Sequence, residues 1–171
     1  APTGLTLDAS TDSGTLGDGI TNVTQVKIDG TAEPGSAVTL YDTNGTTVLG
    51  SGTANAVTGS FSIATSALSS GAHAITAKAT DAAGNIGAAS AAYSVTVDTT
   101  APAAPTGLVL DTTTDSGGKG DGITNVTQVK IDGMAEAGSA VNLYDTDGTT
   151  IHGSGTANGT TGAFRLTTVS S

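Results

Sequence analysis

The sequence predicts an all-β protein built of tandem β-sandwich modules, and three observations support this fold class. Short segments alternate between apolar and polar residues, as half-buried strands do, whereas no helical periodicity is sustained over a longer stretch. The 25 glycines among 171 residues supply frequent turns between these segments. The first part of the chain also recurs about a hundred residues later, which is the spacing of whole domains.

The internal repeat defines the modules. Residues 1–68 align without a gap on residues 104–171, and 48 of these 68 aligned pairs are identical. A period of this length is too long for a solenoid unit of roughly 20 to 50 residues. We therefore predict two modules, residues 1–100 and residues 101–171, joined by a short, stiff segment that contains Pro102 and Pro105.

The same alignment predicts that the second module is partial. Nothing in the second copy corresponds to residues 69–98 of the first copy, and these residues contain the last two predicted strands. We therefore expect the second module to be a truncated sandwich that lacks two strands.

Seven strands are predicted in the first module, from the alternation and the turns between them: residues 4–8, 24–32, 37–42, 47–54, 60–64, 73–80 and 92–98. The Asn44-Gly45 pair is typical of a hairpin turn between the third and fourth strands. Seven short strands at this spacing indicate an immunoglobulin-like β-sandwich. The expected core is aliphatic and consists of Leu5, Leu7, Val26, Ile28, Val38, Leu40, Phe61, Ile63, Ile75, Ala77, Ala79, Tyr93, Val95 and Val97.

Composition excludes several classes of function. The formal charge is −10, from 15 acidic and 5 basic residues, so the surface repels nucleic acids and anionic lipids and attracts cations. No run of about 18 apolar residues is present, so we expect no membrane insertion. The absence of cysteine excludes a disulfide framework and favours export from a bacterium.

Each copy carries an acidic loop after its first strand, Asp12–Asn22 in the first module and Asp115–Asn125 in the second. The loop combines two carboxylates with small residues whose carbonyls are free, and Ca²⁺ takes six to eight oxygen ligands of this kind in flexible geometry. The spacing differs from that of an EF-hand loop. The sequence therefore predicts Ca²⁺ binding, with a solvated acidic turn as the alternative.

Successive strands alternate in direction, so this loop is expected at the same end of the sandwich as the C-terminal end of the last strand. Asp12 and Asp18 are therefore expected to converge with Asp98 at the junction between modules, where a cation would relieve their repulsion. The loop between the second and third strands of the second module, which holds Glu136, is expected to approach this junction from the other side. The predicted metal ligands are Asp12, Asp18, Asp98, Asp115, Asp121 and Glu136.

The sequence does not favour an enzyme. Its two histidines, His73 and His152, occupy non-equivalent positions of the repeat, and we expect His73 to be structural or exposed. The carboxylate pair of the acidic loop is of the type that hydrolyses glycosides, but no aromatic platform for sugar stacking accompanies it. Tyr41 and Tyr144 fall on the outward phase of their strands and are candidate ligand contacts.

Four motifs are spread along the first module and into the joint that follows it: Asp12–Asn22, Gly30–Val38, Ala79–Asn85 and Val95–Pro102. In this combination the sequence resembles the bacterial immunoglobulin-like repeats of large type I-secreted adhesins, including the biofilm-associated protein family. The resemblance implies cell-surface display, calcium-stiffened junctions between modules and a spacer role between a membrane anchor and a binding tip. Such repeats often carry a tryptophan where this chain has Phe61 and Phe164.

Together these features predict a structural extender segment of a secreted bacterial surface adhesin. Its expected partners are the neighbouring repeats of the same chain and a host or biofilm surface ligand. Two alternatives remain open at this point. The first is a module that itself binds carbohydrate or protein, and the second is an accessory domain of a secreted hydrolase.

Overall fold

The computed structural model describes residues 1–169, which fall into two compact units. Unit 1 comprises Ala1–Thr100, and unit 2 begins at Ala101. The regular structure of both units consists of β-strands, so the predicted all-β class is confirmed. Within the described residues, no helix has the length and apolar character that a membrane crossing requires.

Unit 1 is a sandwich of two sheets. Its strands are β1 (Thr3–Leu7), β2 (Ile20–Thr21), β3 (Lys27–Thr31), β4 (Ala37–Tyr41), β5 (Val48–Thr53), β6 (Ser60–Ala64), β7 (Gly71–Thr80) and β8 (Tyr93–Val97). One sheet has the order β1-β3-β6 and the other the order β2-β8-β7-β4-β5. All neighbouring strands are antiparallel except β2 and β8, which are parallel. This arrangement confirms the immunoglobulin-like sandwich.

The structure corrects the predicted strands in two places. The two-residue strand β2 was not predicted, because it lies inside the acidic loop and is too short to show alternation. The predicted strand 24–32 is regular only over β3. Thr24 and Gln25 lie in a bend, and this part of the chain bonds to a loop instead of a strand. Val26 exchanges hydrogen bonds with Thr65, and the Thr24 carbonyl accepts one from Leu68.

The core of unit 1 lies between the two sheets and is aliphatic, as predicted. Burial removes at least nine-tenths of the surface of Leu5, Leu7, Val26, Ile28, Val38, Leu40, Leu49, Ala54, Phe61, Ile63, Leu68, Ile75, Ala77, Val95 and Val97. Two predicted core residues, Ala79 and Tyr93, are only half-buried. Ala79 is next to the last residue of β7.

Gly30 makes room for the largest side chain of this core. It lies opposite Phe61 in the β3–β6 ladder, and a Cβ atom at Gly30 would meet the Phe61 ring at 2.5 Å. Gly133 and Phe164 repeat this arrangement in unit 2 with the same 2.5 Å approach. The glycine is therefore required by packing, because any side chain there displaces the aromatic ring.

We expect Gly30→Ala to destabilise unit 1 by about 1–3 kcal/mol, because the added methyl group overpacks the core. Hydrogen exchange of the Ile28 amide measures the change in the free energy of unfolding. Ser62→Ala on the exposed face of β6 is the control and should leave exchange nearly unchanged. Equal exchange in Gly30→Ala and wild type would show that the ring has space to move.

Unit 2 has five strands among the described residues: β9 (Thr106–Leu110), β10 (Lys130–Met134), β11 (Ala140–Tyr144), β12 (Ile151–Thr156) and β13 (Ala163–Thr167). They form one sheet of order β13-β10-β9 and a second sheet of β11 and β12. Through the sequence repeat they match β1, β3, β4, β5 and β6, and residues 101–169 contain no counterpart of β7 or β8. Leu108 is consequently 56% exposed, whereas the aligned Leu5 is 9% exposed.

A buried histidine joins two strands of unit 1. His73 in β7 is 8% exposed, which settles the prediction in favour of a structural residue. Its Nδ1 lies 3.0 Å from Asp42 Oδ1, and its Nε2 lies 3.0 Å from the Ser69 carbonyl oxygen. A carboxylate and a carbonyl only accept hydrogen bonds, so both contacts are satisfied only when both ring nitrogens carry protons.

Protonation of His73 is therefore linked to the stability of unit 1. Burial lowers the pKa of His73, but the Ser69 carbonyl and the Asp42 carboxylate together outweigh burial and raise the pKa above its usual 6.5. A raised pKa in the folded state means that folding takes up protons. The stabilisation is complete below the unfolded-state pKa and is lost as the pH rises through the folded-state pKa.

We expect unit 1 to be more stable at pH 5.5 than at pH 8, because the stabilisation by protonated His73 is lost as the pH rises through its raised pKa. His73→Gln should remove this difference, because glutamine stays neutral at both values. Hydrogen exchange of β7 amides at the two pH values, corrected for intrinsic rates, provides the measurement. His152→Gln in unit 2 is the matched control, and a pH dependence that persists in His73→Gln would contradict the assignment.

Candidate functional site

The acidic loop between β1 and β3 is folded back onto itself in unit 1. The Thr21 hydroxyl donates a hydrogen bond to the Thr11 carbonyl at 2.7 Å, and the Asn22 amide donates to Ser13 Oγ at 2.8 Å. Thr21 is 1% exposed, so the hydrogen bond from its hydroxyl lies inside the loop. The loop is therefore an ordered element with defined oxygen positions.

The loop also packs against the last strand of unit 1. Gly19 has a φ of 73° and approaches β8 so closely that a Cβ atom would lie 2.9 Å from the Ser94 carbonyl oxygen. Its carbonyl accepts a hydrogen bond from the Thr96 amide at 2.8 Å. A left-handed backbone with no space for a side chain requires glycine. These contacts place the acidic loop beside the end of β8.

Asp12 is the buried acid of this loop. Its residue surface is 7% exposed, and its amide donates to the Asp8 carbonyl at 3.1 Å. Its Oδ2 accepts a hydrogen bond from the Gly17 amide at 2.6 Å. Its Oδ1 is shielded from solvent and has no hydrogen-bond partner. An unpaired buried carboxylate oxygen is costly unless a cation or a donor reaches it.

The other two predicted ligands of unit 1 lie at the same end but are exposed. Asp18 Oδ1 accepts a hydrogen bond from the Ile20 amide at 2.8 Å. The Asp98 amide donates to the Thr21 carbonyl at 2.9 Å, and Asp98 Oδ1 accepts from the Thr100 amide at 2.9 Å. The fold thus brings Asp98 next to the acidic loop. Within residues 1–169, however, no three His, Cys, Asp or Glu side chains form a group that could hold a metal ion.

The acidic loop of unit 2 repeats the arrangement around its own buried acid. Asp115 is 2% exposed, its Oδ2 accepts from the Gly120 amide at 2.5 Å, and its Oδ1 has no hydrogen-bond partner. Asp121 is exposed and accepts from the Ile123 amide at 2.9 Å. The predicted ligand Glu136 is exposed in the β10–β11 connection, and only its carbonyl oxygen is engaged, by Ser139.

A lysine distinguishes the two loops. In unit 2 the Lys119 ammonium donates hydrogen bonds to the carbonyl oxygens of Asp115 and, at 2.9 Å, of Thr112. The aligned residue of unit 1 is Leu16, which is 65% exposed and has no polar atom in its side chain. A positive charge of the chain itself therefore lies on the carbonyl oxygens of the second loop, and none does so in the first.

Sequence reasoning did not identify Lys119, nor a second cation of unit 2, Arg165. Both differ between the two repeats, as Leu16 against Lys119 and Ser62 against Arg165. The alignment shows both substitutions. It does not show which acids lie beside each basic side chain, and those acids decide what the substitution does.

The two candidate ligand-contacting tyrosines have different surroundings. Tyr41 is half-buried, and the Lys78 ammonium lies 5.3 Å from the centre of its ring. Tyr144 is 53% exposed. The cation over Tyr41 covers the ring face that a sugar would stack on. Of the other three aromatic residues, Phe61 and Phe164 are buried and Tyr93 is half-buried.

Comparison with known proteins assigns the family. The family model for the bacterial Ig-like domain matches residues 1–99, which is more than half of the chain. The chain therefore belongs to the bacterial immunoglobulin-like domain family, which confirms that part of the resemblance found in the sequence. No curated protein matches the chain.

One similar solved structure bears the description "Biofilm associated protein - BSP domain". Its sequence identity to this chain is 17%, and the TM-score is 0.33. The alignment covers 88% of this chain and 23% of the other, so this chain spans less than a quarter of the length of that structure.

Proposed function

We propose that this chain is an extender segment of a bacterial cell-surface adhesin, and that Ca²⁺ stiffens it by binding the acidic loop of unit 1. Membership of the bacterial immunoglobulin-like family and the tandem repeat support the extender role. The observation that carries the calcium part is the buried carboxylate of Asp12, with Oδ1 shielded and unpaired. The expected partners are neighbouring repeats of the same protein and a host or biofilm ligand beyond them.

The donor atoms of the loop fit a hard cation. Asp12 supplies a carboxylate oxygen, and the carbonyl oxygens of Ala9 and Asp12 align with those that the Lys119 ammonium engages in unit 2. Asp18 and Asp98 would add exposed carboxylates at the same end of unit 1. Calcium accepts mixed sets of carboxylate, carbonyl and water oxygens, so a site with one buried carboxylate matches its chemistry.

The difference between the loops makes unit 1 the main calcium site of this chain. In unit 2 the ammonium of Lys119 already lies on the carbonyl oxygens and would repel a second cation nearby. In unit 1 the aligned Leu16 leaves the equivalent oxygens without a charge. The two acidic loops, although nearly identical in sequence, are therefore expected to bind calcium with different affinities.

We expect Ca²⁺ to stabilise unit 1 and to slow hydrogen exchange of the Gly17 and Thr21 amides. At a calcium concentration about 100 times the dissociation constant, binding adds roughly 2.7 kcal/mol to the free energy of unfolding. Asp12→Asn should abolish the effect, since it removes the charge but keeps the shape. Leu16→Lys should weaken it, because the lysine reproduces the ammonium of unit 2.

Two controls accompany this titration. Glu33→Gln removes one exposed charge outside the loop and should leave the calcium effect unchanged. Lys119→Leu should create a calcium response in unit 2. If wild type and Asp12→Asn respond equally, the loop is a solvated turn and the calcium part of the proposal is wrong.

The extender role is tested separately, by displaying one, two and four tandem copies of residues 1–103 between a surface anchor and an epitope. Labelling of the epitope in electron microscopy measures its height above the cell surface. We expect the height to rise with copy number in calcium and to fall when calcium is chelated. A height that does not depend on copy number would contradict the extender role, whatever the calcium titration shows.

A further inference from the structure

The outer face of the β1–β3–β6 sheet carries an acidic pair that the acidic loop does not include. In unit 1, Thr6 and Ser62 flank Asp29 as direct cross-strand neighbours. Asp8 follows β1 and continues the same face, since its amide bonds to the Lys27 carbonyl at 2.9 Å. Asp8 and Asp29 are both half-buried.

Unit 2 shows how the same pair is neutralised when a cation is present. Arg165, aligned with Ser62, donates from Nε to Asp132 Oδ1 at 2.6 Å and from Nη2 to Asp132 Oδ2 at 2.8 Å. The same Nη2 lies 2.6 Å from Asp111 Oδ2. One guanidinium therefore joins both carboxylates, in the bidentate geometry that arginine forms with carboxylates.

The guanidinium changes the surroundings of both acids in unit 2. The side chain of Asp111 is 4% exposed, whereas the aligned Asp8 stays half-buried. Hydrogen bonding to Arg165 holds the pKa of Asp132 below its usual value. Arg165 thus serves as an internal example of the ligand that this pair of carboxylates accepts.

In unit 1 the same carboxylates are in position but lack that ligand. Asp8 Oδ1 accepts from the Ser10 amide at 2.9 Å, just as Asp111 Oδ1 accepts from the Thr113 amide at 2.9 Å. The first acid is thus held by the same turn in both units. Asp29 Oδ1 is shielded from solvent and has no hydrogen-bond partner. Within residues 1–169, no lysine or arginine nitrogen lies within 4.0 Å of either carboxylate.

Lys27 does not take the place of the missing guanidinium. It lies on the same face, and after the Ser10 hydrogen bonds its charge is a further cause of the lowered pKa of Asp8. Its counterpart Lys130 has the same position in unit 2, where Arg165 nevertheless binds both acids. The lysine at the position of Lys27 and Lys130 therefore does not occupy the place that the Arg165 guanidinium takes in unit 2.

A cleft of about 520 Å³ borders Asp29 and Ser62 in unit 1 and continues along Asn55 and Phe61, but Asp8 does not line it. The equivalent cleft of unit 2, about 580 Å³, lies beside Arg165, so the cleft gives access to Asp29 and is not itself the guanidinium position. Ser62 is exposed and short, so it does not enter the volume that the long Arg165 side chain occupies in unit 2.

We propose that Asp8 and Asp29 form a binding site for an arginine side chain that another protein presents to this face of unit 1. The observations favour arginine over lysine, because the example in unit 2 uses two nitrogens of one planar group to join two carboxylates. A second copy of this chain does not supply the ligand. Its single arginine is Arg165, which is already engaged.

The test is a titration of the ¹⁵N-labelled chain, residues 1–171, with acetyl-Gly-Arg-Gly-amide in the presence of EDTA. We expect saturable shifts of the Asp8, Asp29 and Ser62 amides, and none at the aligned amides of unit 2. The lysine peptide should bind about tenfold more weakly, since it loses one charge-assisted hydrogen bond. The neutral citrulline peptide should not bind.

The repeat supplies matched variants for this experiment. Ser62→Arg gives unit 1 the internal ligand of unit 2 and should abolish the response. Arg165→Ser vacates unit 2 and should produce a new response at the Asp111 and Asp132 amides. Asp29→Asn should abolish binding while keeping the shape of the cleft. Amide dispersion checks that each variant is folded, and both exchanges introduce a residue that the other repeat already holds at that position.

Three outcomes of the peptide titrations would overturn the proposal. The first is a wild-type chain without saturable shifts, and the second is a Ser62→Arg variant that responds as wild type does. The third is equal binding of the arginine and lysine peptides. A separate titration with Ca²⁺ alone that shifts these amides, while the arginine peptide has no effect, would assign the pair to a divalent cation and also contradict it. Because EDTA is present in the peptide titrations, their result does not depend on the calcium part of the proposed function.

Discussion

The shortage of positive charge governs how the polar groups of this protein are satisfied. The chain holds 15 acidic and 5 basic side chains, so most carboxylates must find partners other than lysine or arginine. Many of them use the backbone amides of turns. Asp81, for example, accepts from the amides of Ala83 and Asn85, and Asp147 accepts from those of Thr149 and Thr150. Side-chain hydrogen bonds, from Asn85 to Asp81 and from Thr150 to Asp147, lower the pKa of both carboxylates most, and these amides lower it further, so both are held ionised.

The candidate sites lie where a carboxylate oxygen is shielded from solvent but receives no hydrogen bond. Asp12, Asp29 and Asp115 each keep one carboxylate oxygen without a partner. Two of these acids belong to the acidic loops, and the third lies on the outer face of a sheet. An anion in such a position attracts cations more strongly than a solvated one, because water competes less for it. The candidate sites therefore follow from an unequal distribution of charge on an ordinary sandwich.

The two repeats differ at the residues that supply a positive charge to these carboxylates and carbonyls. Unit 2 contains Lys119 on its acidic loop and Arg165 across its outer acidic pair, and unit 1 has Leu16 and Ser62 instead. The backbone and the acids around these positions are nearly the same in both units. Single substitutions at these positions change which carboxylates have an internal cation and leave the core intact, because core and surface face opposite sides of each strand.

Much of the fold follows from the sequence because strand alternation is local. The seven main strands and the aliphatic core were readable from residues close to one another in the chain, and the repeat from the alignment of residues 1–68 on residues 104–171. The short strand β2 and the buried pair of His73 with Asp42 were not, since both depend on strands that meet only after folding. Likewise, the sequence showed that acids are abundant, but not which of them have a cation.

What the sequence determined by itself is therefore the architecture, through the period-two pattern and the glycines that punctuate it. What only the tertiary structure decided is the state of each carboxylate. Asp132 and Arg165 are 33 positions apart. The Asp12 carboxylate is shielded from solvent only in the folded loop, where the Gly17 amide donates a hydrogen bond to it. The physical reason is that pairing and burial of a charge depend on distances across strands, and no local pattern of residues encodes those distances.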